Sequence, residues 1–438
     1  MAQRLIVVLV LAALLAGCGG DRAGEDDGGP VRFLVFGEPE ELKAYRAVVA
    51  AYREERPDEP VELIEATDRT DLITKLSTSL AGGSPPDVFV MNYRYYGQFA
   101  ARDAIEPITE RLEGSDAFEP EDFYPEAMEA FQWRGEQLCL PQNVSSLVVY
   151  YNRDLFRAAG IPDPEEGWTW PQLISIATRL TTDENGVPVG SSDPDQGGGA
   201  RKPAVYGLGV EPTLIRIAPI VWSNGGELVD DEQKPTRFAL DTPEGLEALD
   251  TFFALRPVIP PDVEVEAEDD ESRFTNGRLA MILSSRRSTP TFRTITDFEW
   301  DVARLPIMRE PAGILHSDAY CITADSGRKD RAWRFVEFAL GPEGQPITAR
   351  TGRTVPSLIS VSRSPAFLEP SRAPSNSEVF LDGIPTIRRV PTISTWPELE
   401  DASEPIIENG LYLGRTAREV AQELDEATRS IFARGEGP

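Results

Sequence analysis

The single histidine of this 438-residue chain, His316, stands beside Ser317 and Asp318. These are the residue types of a nucleophilic triad, yet three consecutive side chains cannot form the relay in which serine, imidazole and carboxylate pass a proton along. The stretch therefore reads as a polar turn. One histidine also rules out a zinc site that needs two, such as H-E-x-x-H. No G-x-S-x-G elbow, G-x-x-x-x-G-K-[ST] loop or G-x-G-x-x-G fingerprint occurs in the chain. A glycosidase pair of carboxylates stays open, since any two of 73 acidic residues could meet its spacing, but no motif speaks for it. The acidic run from Glu264 to Glu271 reads as a solvated entry to a helix, because its carboxylates are not spaced around a cation.

The elements that must position any site alternate strand-like and helical patterns. Val31 to Phe36 reads as a strand, and Leu42, Tyr45, Val48, Val49 and Tyr52 then recur at helical spacing up to Pro57. Val61 to Ile64 is a second strand, Asp71 to Leu80 a second helix, and Asp87 to Met91 a third strand. Strand–helix–strand alternation argues for an α/β fold with a doubly wound parallel sheet, which binds ligands at the carboxyl ends of its strands. The loops at Gly37 to Glu40, Thr67-Asp68 and Asn92 to Arg94 should line that edge. Leu147 to Tyr151 and Tyr206 to Val210 read as further strands, and Ala417 to Phe432 as an amphipathic closing helix. The Gly-, Pro- and Ser-rich stretch from Asn185 to Pro203 reads as a surface loop.

Composition narrows the partners. A formal charge of −30 with no long Lys/Arg run excludes nucleic acid and anionic membrane surfaces as binding partners. The length exceeds what one core normally serves, so two lobes are expected. At the N-terminus, Arg4 precedes an apolar run from Leu5 to Leu15, too short for a permanent span and suited to a secretory signal. The run closes in Leu15-Ala16-Gly17-Cys18, which resembles a bacterial lipobox and marks 1–17 as the signal peptide and Cys18 as the lipidated first residue. An ordinary signal peptide with an incidental cysteine is the alternative; the small residues and Cys18 together at the cleavage edge favour the lipobox. Residues 18–30 read as a flexible tether. Cys139 and Cys321 remain, free to be a long-range bridge or two buried thiols.

Several stretches, taken in order, carry a resemblance. They are Leu80 to Phe89 (LAGGSPPDVF), Leu140-Pro141 leading to Val149 to Phe156 (VYYNRDLF), Ala159 to Ile161, Trp168 to Trp170, Asn224 to Leu228 (NGGEL) and Phe274 to Met281 (FTNGRLAM). In this order the chain resembles the extracellular solute-binding proteins of carbohydrate-type ABC importers, the maltose-binding-protein-like group. The resemblance implies a two-lobed periplasmic-binding-protein fold of type II, with doubly wound sheets joined by a multi-strand hinge. Lobe 1 would comprise 31–141 and 319–356, lobe 2 142–318 and 357–438. It further implies a non-catalytic, lipid-anchored, extracytoplasmic monomer without metal or cofactor, which captures a carbohydrate and delivers it to ABC permease subunits. With the strands at Leu138 to Pro141 and Tyr320 to Thr323 both approaching the hinge, the resemblance also favours a Cys139–Cys321 disulfide.

Sugar recognition needs aromatic faces for the ring and fixed polar groups for the hydroxyls. The positions that the resemblance marks are Glu38, Asp68, Asn92, Tyr93 and Arg94 in the first lobe and Asn143 and Ser145 in the crossing. In the second lobe they are Glu211, Thr213, Ser284, Ser285 and Arg286, with Trp396 as a late aromatic cap. Each has a plainer reading: Asp68 as a helix cap, Tyr95 and Tyr96 as packing, Trp168 and Trp170 as a structural helix entry, Trp222 as core. Where maltose-type members have an aromatic after Met281, this chain offers Ser284 to Arg287. The arginine pair there suits an acidic sugar or a glycerophosphodiester, or is surface charge. Other functions to be weighed are an exported lipoprotein glycan hydrolase and a binder of polyamine or peptide.

Overall fold

The structure is a computed structural model that describes residues 28–189 and 202–438. The signal segment, Cys18, most of the tether and most of the 185–203 loop lie outside the described residues. Strand β1 (Val31–Phe36), helix α1 (Pro39–Glu55), strand β2 (Val61–Ala66), helix α2 (Arg69–Ala81), strand β3 (Val88–Asn92) and helix α3 (Tyr93–Ala100) follow in order. Their sequence explains them. Val31, Phe33 and Val35 are buried, Pro39 sits in the first turn of α1, and Ala44, Tyr45, Val48, Val49 and Tyr52 form its apolar stripe. Asp68 Oδ1 accepts the Asp71 backbone N–H at 2.8 Å and so starts α2.

The chain then runs through β4 (Cys139–Pro141) to β5 (Val148–Asn152), helix α4 (Leu214–Ser223), helix α5 (Asp270–Thr275), β6 (Met281–Ser284) and β7 (Trp300–Ala303). It returns by β8 (Gly313–Ile314) to β9 (Asp318–Ile322) and continues with β10 (Ile387–Arg388), α6 (Trp396–Leu413) and α7 (Ala417–Phe432). The first sheet has the order β2-β1-β3-β9-β4; β1 pairs in parallel with β2 and β3, while β9 runs antiparallel to both β3 and β4. The sheet is thus mixed. The reason is topological: β9 enters from the other lobe rather than through a βαβ crossover, so nothing forces it parallel. The second sheet centres on β5, flanked antiparallel by β6 and β7. These two sheets with their helices are the two lobes.

The run Tyr206 to Val210 is not a strand, contrary to its sequence pattern. It makes only single bridges, Tyr206 with Leu279 and Gly209 with Ile282. Its backbone passes other chain segments too closely for side chains, since a Cβ on Gly207 would lie 2.1 Å from the Ala177 carbonyl oxygen.

Two segments cross between the lobes, bonded to each other and to a third that runs beside them. Ser145 and His316 exchange backbone bonds of 3.0 and 2.8 Å, and Val144 N–H donates to the Val355 carbonyl at 2.9 Å. Asn143 joins the first two by side chain: Nδ2 donates to the His316 carbonyl (3.0 Å) and Oδ1 accepts the Asp318 N–H (2.9 Å). Beyond Pro356 the third segment stays on the first lobe, where Leu358 bridges Phe123 and the Ser362 and Tyr124 hydroxyls lie 2.9 Å apart. Cys139 and Cys321 sit opposite each other on β4 and β9 and are joined as a disulfide, both fully buried.

Candidate ligand cleft

The carboxyl ends of β1, β2 and β3 share one edge of the first sheet, and the residues there are Phe36, Arg69 and Asn92 to Tyr95. Asn92 turns the chain into α3: its Oδ1 accepts the Arg94 backbone N–H at 3.2 Å and Arg94 Nε–H at 3.3 Å, while Nδ2 donates to Asp318 Oδ1 at 3.1 Å. So oriented, Arg94 donates from Nη1 to Glu400 Oε2 at 2.5 Å. Glu400 is fixed in turn by Trp396 Nε1–H at 2.8 Å. The guanidinium of Arg69 lies over the Phe36 ring (5.4 Å) and the Tyr95 ring (5.0 Å), and Arg94 approaches the same Tyr95 ring at 5.5 Å.

At the crossing, Ser145 Oγ and His316 Nε2 are shielded from solvent and have no hydrogen-bond partner. Burial holds the His316 imidazole well below its ordinary pKa, and the guanidiniums of Arg216, Arg94, Arg287 and Arg69 push it further down. His316 is therefore neutral, and all four arginines are close enough to act on it.

The second lobe supplies the opposite wall. Thr213 occupies the cap position of α4 without capping it, and its Oγ1 is buried and unpartnered. Glu211 accepts Arg216 Nη2 at 2.5 Å on Oε2 and Arg287 Nη2 at 3.3 Å on Oε1. Arg287 also lies 3.2 Å from Glu271 Oε1, which accepts the Ser288 hydroxyl at 2.6 Å. Arg216, first, and then Arg287 hold the Glu211 carboxyl below the usual carboxylate range. Nearby, burial pushes the Asp270 carboxyl up to about 7, against the pull of Arg273.

Asn92, Arg94, Ser145, Glu211 and Thr213 thus gather where the sequence placed them, and Asn143 stands beside them as a clamp between crossing segments. Glu38 is exposed at the entrance to α1 and makes no capping bond; Asp68 is exposed and caps α2. Other expectations are corrected. Tyr93 is fully buried in the core, its hydroxyl accepting the Val390 N–H at 3.4 Å, because the first residue of α3 turns inward under the sheet edge. Trp396 is fully buried against Phe238 and reaches the cleft only through Glu400. Ser284 spends its hydroxyl on Ser288 at 2.6 Å, and the Ser285 carbonyl accepts the Tyr150 hydroxyl at 2.9 Å. Arg286 is an internal residue: it is stacked on Phe367 (4.6 Å) and Phe380 (4.7 Å), and its Nε donates to the Gly352 carbonyl at 2.8 Å.

The neighbour Arg287 faces the cleft instead, since one step along the turn reverses the side chain's direction. Arg69 and Arg216 were not picked out by sequence reasoning, His316 was read as part of a polar turn, and Tyr95 as packing. The signal available for Arg216 was its place three residues after Thr213, one turn into a helix otherwise apolar.

Ser317 Oγ donates to the Asn143 carbonyl at 2.6 Å and is not paired with the neighbouring imidazole. Glu211 is held ionised, the opposite of what a general acid requires. Among the described residues no group of His, Cys, Asp and Glu could hold a metal ion, and no helix is long and apolar enough to cross a membrane.

Two α/β lobes, a hinge of hydrogen-bonded crossing segments and polar groups converging on the cleft from both sides define a type II periplasmic binding protein. The sequence profile described as "Bacterial extracellular solute-binding protein" matches residues 37–346, and the chain belongs to that family. It is a solute-binding protein rather than an enzyme, and it works outside the cytoplasm. A putative binding protein of Brucella abortus is 23% identical over 411 residues, covering 90% of each chain. A maltotriose-binding protein of Pyrococcus abyssi is 24% identical over 314 residues, 70% of this chain and 61% of that one. An ABC substrate-binding protein of Listeria monocytogenes, solved in complex with cycloalternan, superposes with a TM-score of 0.81 at 23% identity, covering 92% of this chain and 99% of that chain.

Proposed function

We propose that the protein captures a carbohydrate between its lobes and hands it to the membrane subunits of an ABC importer. The observation that carries this reading is the set of buried polar atoms left without partners on both walls and the crossing: Arg69 Nε, Ser145 Oγ, Thr213 Oγ1, Arg216 Nε and Nη1, and His316 Nε2. Buried groups of this kind cost free energy unless a ligand bonds them. Donors and hydroxyls in that number suit a molecule rich in oxygen acceptors, and the half-buried Tyr95 ring offers an apolar sugar face a surface. The reported ligands of the Pyrococcus and Listeria relatives support a saccharide. Ligand contacts are assigned to Arg69, Arg94, Tyr95, Ser145, Glu211, Thr213, Arg216, Arg287 and His316. The lobes close as rigid bodies about the crossing segments, and ligand shifts the balance by its greater affinity for the closed form. Cys18 anchors a monomer to the membrane by acyl chains, leaving residues 19–30 as its leash.

A thermal-shift and calorimetric screen of the full-length protein in detergent against mono- and oligosaccharides tests this. Ligand at one hundred times its Kd stabilises the native state by about 2.7 kcal/mol, so a binding sugar raises the melting temperature and is recovered intact. Absence of any shift, or recovery of cleaved sugar, refutes the reading. Mass analysis of the N-terminal peptide reports the acyl chains on Cys18.

A further inference from the structure

We infer that the captured solute carries an anionic oxygen group, a carboxylate or a phosphodiester, that docks against Arg216 and Arg69. The inference deepens the assignment of the cleft as the ligand site and rests on it. Its basis is an imbalance of charge in that cleft. Four guanidiniums, those of Arg69, Arg94, Arg216 and Arg287, act on the one imidazole at the crossing. Three carboxylates answer them: Glu400 binds Arg94, Glu271 binds Arg287, and Glu211 is divided between Arg216 and Arg287. Arg69 has no ion-pair partner among the described residues, and its Nε is buried without an acceptor.

Arg216 is the strongest single indication. Its side chain is 3% exposed, yet only Nη2 is bonded, and Nε and Nη1 are left without acceptors. A buried guanidinium in this condition is costly, because both its charge and its directed donors have lost water. A neutral hydroxyl can satisfy one donor but cannot answer the charge; a carboxylate or phosphate oxygen does both. Burial first, and the neighbouring guanidiniums after it, lower the pKa of both His316 and Arg216. Around the anionic group, Ser145 Oγ and Thr213 Oγ1 remain for the hydroxyls of the same ligand. The strongly acidic remainder of the chain does not cancel this site, since exposed charges beyond about 10 Å are largely screened at 0.1 M salt.

The test compares affinities of the full-length protein, by calorimetry, for matched probes: glucose with glucuronate, galactose with galacturonate, and glycerol with glycerophosphocholine. The member that carries the anionic oxygen group should, in at least one pair, bind roughly ten- to hundredfold more tightly, the range that charge-assisted hydrogen bonds supply, and should weaken as salt rises. Arg69→Gln should reduce the ratio of anionic to neutral affinity about tenfold and Arg69→Lys should keep most of it. Arg69 is partly exposed, so this variant folds even where Arg216→Gln does not. A uronate preference supports both this inference and the carbohydrate reading. A preference for glycerophosphocholine alone supports the anion site and overturns the carbohydrate reading. Neutral sugars bound as tightly as their acids leave the carbohydrate reading standing and overturn the anion site, as does an affinity ratio unmoved in Arg69→Gln. No binding by any probe overturns the anion site, and the saccharide screen then decides the carbohydrate reading.

Discussion

Removing the Cys139–Cys321 bridge by the double alanine variant should lower stability by an amount that reports how the lobes unfold. The bridge joins residues 182 positions apart, and that interval contains the entire second sheet. If the whole molecule unfolds at once, the bridge closes a loop of that full length, and the chain-entropy estimate gives about 5 kcal/mol at 25 °C. A chain of roughly 400 residues has an unfolding entropy of about 0.8 kcal/mol/K, so one calorimetric peak should move down by about 6 °C. If the first lobe melts alone, the folded second lobe already holds the two crossings together and shortens the loop to roughly 20 residues. The loss is then about 3 kcal/mol, and spread over roughly 150 residues it moves the first-lobe peak by about 10 °C and leaves the other in place. Differential scanning calorimetry of both proteins distinguishes these cases, with thiol titration in denaturant confirming the bridge. A shift below about 2 °C in every peak would refute the reasoning, because the estimate for even the short loop exceeds it.

Three other outcomes follow from the site. His316 has a native pKa below its unfolded value, so its neutral form contributes fully above pH 6.5 and the contribution is lost as pH falls below that. Between pH 6.5 and 5.5 the wild type should therefore lose about 1 kcal/mol more than His316→Gln in urea titrations; parallel profiles would remove the buried neutral imidazole. Arg286→Ala should destabilise by about 3 kcal/mol or more and Arg286→Lys should not restore it, whereas Arg287→Ala should stay within about 0.5 kcal/mol while weakening ligand. Equal melting temperatures for the two alanine variants would reverse our assignment of inner and outer arginine. Trp396→Ala should cost about 3–5 kcal/mol, as for a core aromatic. A melting point unchanged by that substitution would return Trp396 to the cleft wall.

The pattern of the chain revealed most of the elements because each carries a local signal. The closing helix has its apolar stripe and the Thr416 capping box, and runs over the residues expected, Ala417–Phe432. Tyr206 to Val210 misled because its β-rich pattern says nothing of how close Ala177 comes to Gly207. The same limit applied to the cleft. Strand ends marked Asn92 and Arg94, since position after a parallel strand is a topological fact. Which of Arg286 and Arg287 turns inward depended on Phe367 and Phe380, some 80 or more positions away. Arg69 preceded the helix read from Asp71 and Arg216 fell in a stretch given no element, and only their meeting around His316 distinguishes them.

Strand β9 lies between β3 and β4 in the first sheet although it follows them by more than 170 residues. The first lobe therefore cannot complete its sheet until the chain through Ile322 is available. During vectorial passage across a membrane, the leading third emerges with β3 lacking its neighbour and Cys139 lacking its partner. Long-range pairing of this kind is slow, because loop closure precedes the contacts that reward it. Export through a narrow conduit favours a chain that stays open while it threads, and this strand order delays closure by topology alone, with no helper bound. It also exposes an unpaired edge in transit, the kind of surface that aggregates or recruits a chaperone. The interleaving that makes the hinge thus also sets when the protein can fold.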